Sequence, residues 1–266
     1  MSMTRGFANL RFAWALVATN LKAAAALRGN FALQAAFMAI NNLSFFVFWW
    51  VLFQRVDSLR GWAIADVELL YGFSATAFGV MVVLAGGVRH ISRWVDEGEL
   101  DALLVQPKAT WLYAVGSRSQ PSGVGDIATG VFFLCSSGRI HAASAPLALL
   151  CVLCGVAVYL GSALTFFSLA FWLPRTETFS RQLLDFLILF TLYPEPLFGG
   201  ALRCVLFTVL PAGFIVYVPI HVLRDAAFIE LPVLLLAAAG ALTLGITVFE
   251  RGLRRYASGS RFGVWG

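Results

Sequence analysis

The chain alternates long apolar blocks with short clusters of charge. Apolar runs extend from Phe31 to Phe53, Leu69 to Val88, about Val124 to Ile140, Pro146 to Leu173 and Leu231 to Phe249, and another begins at Leu183 and reaches Tyr193. A helix crossing a bilayer needs roughly 20 predominantly apolar residues, so the pattern predicts six transmembrane helices in an all-α, polytopic membrane protein. The first run ends in Phe48-Trp49-Trp50, the aromatic cluster expected at a membrane boundary, and Arg55, Asp57 and Arg60 then mark the return of water. Pro174-Arg175 terminates the fourth.

The segments between the runs differ in kind. Residues 5–30 mix basic positions with Phe7, Leu10, Trp14, Val17 or Ala18, and Leu21 at three-to-four-residue spacing, which predicts an amphipathic helix lying in the interface. Residues 89–126 form the longest polar stretch, broken by Gly98, Pro107 and a Ser/Gly/Pro-rich run at 117–125. Residues 194–225 stay apolar but carry Pro194, Pro196, Pro211 and Pro219. Two short broken helices fit that stretch better than one crossing. Broken helices persist at membrane depth only where protein or a water-filled cavity satisfies the freed backbone groups, so a re-entrant segment between spans five and six is expected. A basic tail closes the chain from Arg251 to Gly266. No internal repeat or domain boundary is visible, and residues 1–266 read as one domain.

Composition sharpens this picture. With 60% apolar and 12% charged residues in 266, against about 25% charged in a soluble domain, the apolar surplus exceeds what one core holds. The net charge of +5 sits between apolar blocks rather than along one face, which argues against a nucleic-acid partner. Placing both termini, 89–126 and the turn at 174–181 on one side puts 14 of the 19 Lys and Arg there, leaving Arg55, Arg60, Arg139, Arg203 and Arg224 opposite. The positive-inside bias then makes both termini cytoplasmic and the number of crossings even. Arg11, Lys22 and Arg28 interrupt every candidate signal-peptide core, so no cleaved leader is expected.

Candidate chemistry is sparse. A phosphate-binding loop needs Gly-Lys-Ser or Gly-Lys-Thr, and the two lysines, Lys22 and Lys108, follow Leu21 and Pro107. No ATP site is expected on this chain. Leu84-Ala85-Gly86-Gly87-Val88 is weakly similar to an ATPase signature but ends an apolar run and reads as helix packing. Cys135, Cys151, Cys154 and Cys204 lie in apolar surroundings, and His90, His141 and His221 fall in separate segments, so neither a metal nor a redox site is expected. Polar residues within spans are the remaining candidates, because each is costly in hydrocarbon unless it faces protein, water or cargo. Asn41 and Asn42 in the first span, with Tyr193 and Pro194 at the end of the fifth, are read as cargo path or helix packing. Adjacent Asn side chains point in different directions, so at least one is expected to bond a neighbouring helix. Asp185 is expected to pair with Arg181, and Ala237, Ala241 and Gly245 form a small-residue stripe for close packing.

The most informative segment is Glu97-Gly98-Glu99-Leu100-Asp101-Ala102-Leu103-Leu104-Val105-Gln106-Pro107. Gly98 divides it. A new helix from near Glu99 sets Leu100, Leu103 and Leu104 on one face and stops before Pro107, with Glu97, Glu99 and Asp101 at its positive N-terminal end. Such a face either enters a partner's groove or packs on its own protein. Here the chain resembles the permease subunits of ABC-2-type transporters. The likeness rests on Glu-Gly-Glu-Leu-Asp-x-Leu-Leu-x-x-Pro at 97–107, on Gly125-Asp126 with Gly130 opening the third span, and on Tyr193-Pro194, Leu210-Pro211 and Val216-Tyr217-Val218-Pro219. Phe171-Trp172 closing the fourth span is a weaker match.

That resemblance implies one transmembrane half of an ABC exporter in the bacterial cytoplasmic membrane. It pairs with a second permease, as homo- or heterodimer, and with a separate ABC ATPase subunit that binds ATP and Mg, while this chain binds no cofactor. Residues 89–126 then form the coupling loop, with Glu97, Gly98, Glu99, Leu100, Asp101, Leu103, Leu104 and Pro107 as the ATPase-coupling residues. Walls of Phe, Leu and Val with a few Asn suit an amphipathic or lipid-linked cargo. A secondary transporter lacks the expected inverted halves. An intramembrane enzyme would draw on Asp126, Asp185 and His90, which carry no local catalytic signature.

Overall fold

The computed structural model describes residues 15–20, 22, 26, 28–104 and 109–256. These are helical, with no strand among them and a lone bridge between Leu59 and Trp62 in a turn. Helix α1 is Arg28–Phe53 and α2 is Ile64–Ala85, which continues through a 3-10 turn, Gly86–His90, into α3, Ile91–Glu97. Two short helices follow, α4 (Asp101–Leu104) and α5 (Thr110–Gly116). Next come α6 (Ser122–Ser136), α7 (Ala145–Phe167, extended by a 3-10 turn to Phe171) and α8 (Glu177–Phe190). The last are α9 (Gly200–Val205), α10 (Val218–Arg224, reached through a π-helical turn at Gly213–Tyr217) and α11 (Leu231–Arg255).

Every apolar run seen in the sequence is helical, but the lengths differ from expectation. Four stretches are long and apolar enough to cross a bilayer: Arg28–Phe53, Ile64–Glu97, Ala145–Phe171 and Phe228–Arg255. Helix α6 has 15 residues and α8 has 14. At 1.5 Å per residue each reaches about 22 Å, short of a hydrocarbon core about 30 Å thick.

Several boundaries move for identifiable reasons. Helix α2 begins at Ile64 rather than Leu69 because Asp66 turns back and accepts a 2.9 Å hydrogen bond from the Ala63 amide, capping the first turn. Helix α8 begins at Glu177 rather than Leu183, since Arg181 pairs with Glu177 at 2.5 Å one turn earlier. That pair replaces the expected Arg181–Asp185 contact. The Ser/Gly/Pro-rich run is in part the start of α6, which opens after Pro121 at Ser122. In 194–225 the helices are short and interrupted, as the prolines require. Pro219 has no amide hydrogen for the Ile215 carbonyl, and the preceding turn widens so that the Val218 amide bonds Gly213.

Of the interfacial helix expected over 5–30, residues 15–20 are helical, with Val17 buried and the Asn20 side chain donating to the Gly116 carbonyl at 3.0 Å. Residues 1–14, Pro107 and the tail at 257–266 lie outside the described residues.

Helix α2 is the centre of the bundle. In its most apolar window with α3, 83% of residues are buried, against 11% for α1 and 17% for the stretch containing α11, whose large apolar side chains such as Phe37 and Leu236 point outward. Glycine makes the close approach between α2 and α6 possible. A Cβ on Gly79 would lie 2.6 Å from the Gly123 carbonyl oxygen, and one on Gly130 would lie 2.5 Å from the Thr76 amide nitrogen. Gly125, on another face of α6, sits against the Ala35 backbone of α1. The expected stripe on α11 is used the same way, with Ala241 and Gly245 packed on Gly161 of α7.

Candidate functional site: a polar cleft between two ionic ends

Drawing α6 onto both α1 and α2 leaves a cleft of about 340 Å³ bordered by α1, α2, α6 and α8. Its wall is mostly apolar, with Phe45, Tyr71, Phe78 and Leu189, and its polar groups are Asn41, Asn42, Ser74, Arg89, Asp126 and Asp185. The Asn42 amide donates to Asp126 Oδ1 at 2.7 Å and lies 3.2 Å from Thr129 Oγ1, while Thr129 donates to the Gly125 carbonyl. This is the interhelical bond expected of one of the two asparagines. Asn41 faces the cleft. Tyr193 and Pro194 do not line it. The Tyr193 carbonyl accepts a 2.9 Å hydrogen bond from Tyr217, its ring meets Trp49 edge-on at 5.8 Å, and Pro194 is buried beside it.

Two features of the cleft escape a sequence reading. Asp126 was expected at the boundary of the polar loop, yet it is 2% exposed within α6. Behind the cleft, Ser74 of α2, Tyr159 of α7 and Thr191 after α8 close a hydroxyl triangle with sides of 3.2, 2.6 and 3.1 Å, all buried. The Gly125-Asp126 motif signals neither the burial of Asp126 nor its partner, and the triangle has no local motif, since the partners are scattered along the chain.

At one end of the bundle a layer of charge ties the helices together. Buried Asp66 lies 3.5 Å from Arg139 and 3.7 Å from Arg224, and Arg224 also grips Asp225 through two 2.8 Å hydrogen bonds. Arg203 reaches Glu195 at 2.7 Å, and Arg60 donates to the Pro196 carbonyl at 2.6 Å. Four of the five arginines that the charge count assigned to one side therefore meet in one layer. His221 stands among them with Nε2 at 2.9 Å from Glu195 and Nδ1 at 3.1 Å from Glu230. A ring flanked by two carboxylates is held as the imidazolium.

The hydrogen bond to Glu195, helped by Glu230, raises the His221 pKa above its ordinary value against the opposing effect of burial. Burial pushes Glu195 up, but the His221 bond and charge and Arg203 outweigh it and leave the carboxyl below its usual value. A raised histidine contributes stability that is complete below its unfolded pKa, about 6.5, and is lost as pH rises through the folded value. The melting temperature of the purified protein is expected to fall as pH rises above about 6.5, and His221→Gln is expected to flatten that slope. A wild-type slope identical to that of His221→Gln would contradict the assignment.

At the other end the chain makes an elbow. Gly98, at φ +76°, ends α3 in the left-handed conformation that glycine adopts without strain. Glu97 is therefore the last residue of α3, paired with Arg93 at 3.0 Å, and not at the positive start of the next helix as expected. Glu99 is exposed in the turn, and Asp101 opens α4. The expected apolar face is divided. Leu100 is fully buried, its amide bonded to the Trp94 carbonyl at 3.2 Å; Leu103 packs half-buried on the core; and Leu104 is 41% exposed. The elbow is also tied to its neighbours. Ser92 donates to the Phe167 carbonyl at 2.8 Å, and Asp96 accepts from the Arg175 amide at 3.1 Å.

No group of three or more His, Cys, Asp or Glu side chains placed to hold a metal ion occurs among the described residues. Four long apolar stretches whose outer helices turn large apolar side chains outward define an integral membrane protein. The family description "ABC-2 family transporter protein" matches residues 39–260, and the chain belongs to that family. It is a transmembrane subunit of an ABC transporter, and permeases of this family generally work with an ABC ATPase subunit. No curated protein and no solved structure matches the chain.

Proposed function

We propose that the chain is one permease half of an ATP-driven exporter in the bacterial cytoplasmic membrane. It pairs with a second permease, and a separate ATPase subunit holds the ATP and Mg. The observation that carries this reading is the elbow. Helix α3 continues α2, which lines the cleft, and hydrogen bonds from Ser92 and Asp96 reach the chain on either side of the turn between α7 and α8. An ATPase pressing on the elbow would move helices on opposite walls of the cleft together, which is the differential contact a two-state transport cycle needs.

In this reading α6 and α8 complete six crossings, 194–225 is re-entrant, and both termini and residues 89–126 face the cytoplasm. The joining of Arg60, Arg139, Arg203 and Arg224 in one layer supports that orientation. The apolar cleft wall with a few polar groups supports an amphipathic or lipid-linked cargo.

Thiol labelling tests the arrangement. With Cys135 and Cys204 changed to Ser, a membrane-impermeant maleimide applied to intact cells is expected to label Ser58→Cys and Ala142→Cys and to spare Glu99→Cys until the cells are opened. The purified chain is expected to turn over no ATP. Outside labelling of Glu99→Cys, or ATP turnover by the chain alone, would overturn the proposal.

A further inference from the structure

We propose that the cleft binds the cationic head of an amphiphile, an alkylammonium or guanidinium group, with Asp126 as its counter-charge. The proposal rests on reading the cleft as the cargo path. Asp126 is 98% buried by side-chain surroundings that satisfy half of it: Oδ1 accepts from Asn42 at 2.7 Å, while Oδ2 is buried with no hydrogen-bond partner. Among the described residues no Lys, Arg or His nitrogen lies within 4.0 Å of it. Protonation would remove the charge but leave an acid proton on Oδ2 without an acceptor, so the carboxyl is incompletely satisfied in either state.

A buried ionisable group in a membrane helix that its own protein leaves unsatisfied marks a place where something else supplies the partner. The cleft fixes the sign of that partner. Its charged groups are Arg89, Asp126 and Asp185. Arg89 is turned to Gln120, to which it donates at 3.0 Å, whereas Asp126 has no cation within 4.0 Å among the described residues. The uncompensated group beside Asn42 is therefore a carboxylate, which repels an anionic head and attracts a cation. Phe45, Phe78 and Leu189 provide the apolar wall for a tail, and aromatic rings beside a carboxylate suit an organic cation. A purely structural role for the Asn42–Asp126 bond makes a different demand, since an Asn at 126 offers Asn42 the same acceptor without the charge.

The test uses the full-length chain in nanodiscs of zwitterionic lipid, with radiolabelled dodecylamine as probe and empty nanodiscs subtracted. Wild type is expected to bind saturably, Asp126→Asn to bind at least tenfold more weakly with an unchanged melting temperature, and dodecanol to show no difference between the two. Equal dodecylamine binding, or an equal loss for dodecanol, would overturn the proposal. If Asp126→Asn does not fold, wild type decides. Dicyclohexylcarbodiimide, which modifies buried carboxyls, is expected to label Asp126 less in the presence of dodecyltrimethylammonium, a cation with no N–H to be acylated, and undiminished labelling overturns the proposal. Binding is read without an ATPase. A chain that binds dodecylamine through Asp126 but does not move it with an ATPase would sustain this inference and sink the exporter reading.

Discussion

Leu104→Asp is expected to abolish recruitment of the ATPase subunit while leaving the permease folded. Leu104 is the outward member of the elbow's apolar positions, 41% exposed where Leu100 is fully buried, so a charge there can stay in water in the free permease. If the side chain enters a groove on the partner, the substitution buries an unpaired carboxylate, at a cost of about 3 kcal/mol or more. That corresponds to a loss of affinity of roughly a hundredfold. Co-purification and transport-coupled ATP hydrolysis are expected to disappear together. Leu100→Asp is the necessary contrast, because Leu100 is fully buried within the permease itself. It is expected to lower melting temperature and yield, and to lose the partner only as a consequence. A folded Leu104→Asp protein that recruits and stimulates its ATPase as wild type does would remove the elbow from the coupling machinery.

The elbow shows what local sequence conveys. Gly98 between two acidic residues marked the break correctly, because a left-handed residue ending a helix is a local event. Which leucine faces outward was not legible. Leu100, Leu103 and Leu104 share one face on a helical wheel, but the tight turn after Gly98 points Leu100 back toward Trp94 and leaves Leu104 as the exposed one. The boundaries failed for a related reason. The apolar runs were read from Leu69 and Leu183, yet the carboxylates of Asp66 and Glu177 in the first turns cap the helix or pair within it, so each helix begins before its apolar run does.

The cleft was legible only in fragments. That one of Asn41 and Asn42 bonds a neighbouring helix was legible because an amide in an apolar span needs a partner, but which one was not, and the partner of Asn42, Asp126, lies 84 positions away. The sequence placed Asp126 at the start of a span and stopped there. What brings the two together is the spacing of glycines along α6, each of which removes a side chain at a contact with a different neighbour. The family resemblance included Gly125, Asp126 and Gly130, whose separate roles only the packing explains.

Gly125→Val is accordingly expected to damage the fold severely. Any side chain at 125 collides with the Ala35 carbonyl of α1, and the obstacle is backbone, which cannot rotate away. Helix α1 would have to move outward. Over-packing of this kind costs about 1–3 kcal/mol in a close-packed interior, and a backbone obstacle places this site at the upper end. A drop in melting temperature of roughly 5–10 °C is expected in detergent or nanodiscs. The displacement also pulls Asn42 from Asp126 and widens the cleft, so dodecylamine binding should weaken even in the fraction that remains folded. Gly240→Val in α11 is the control, because a Cβ there meets nothing within 4 Å, and its effect is expected within about 0.5 kcal/mol of wild type. Equal stability of Gly125→Val and Gly240→Val would mean that α1 is not seated on α6 at Ala35, and the cleft between them would lose its structural basis.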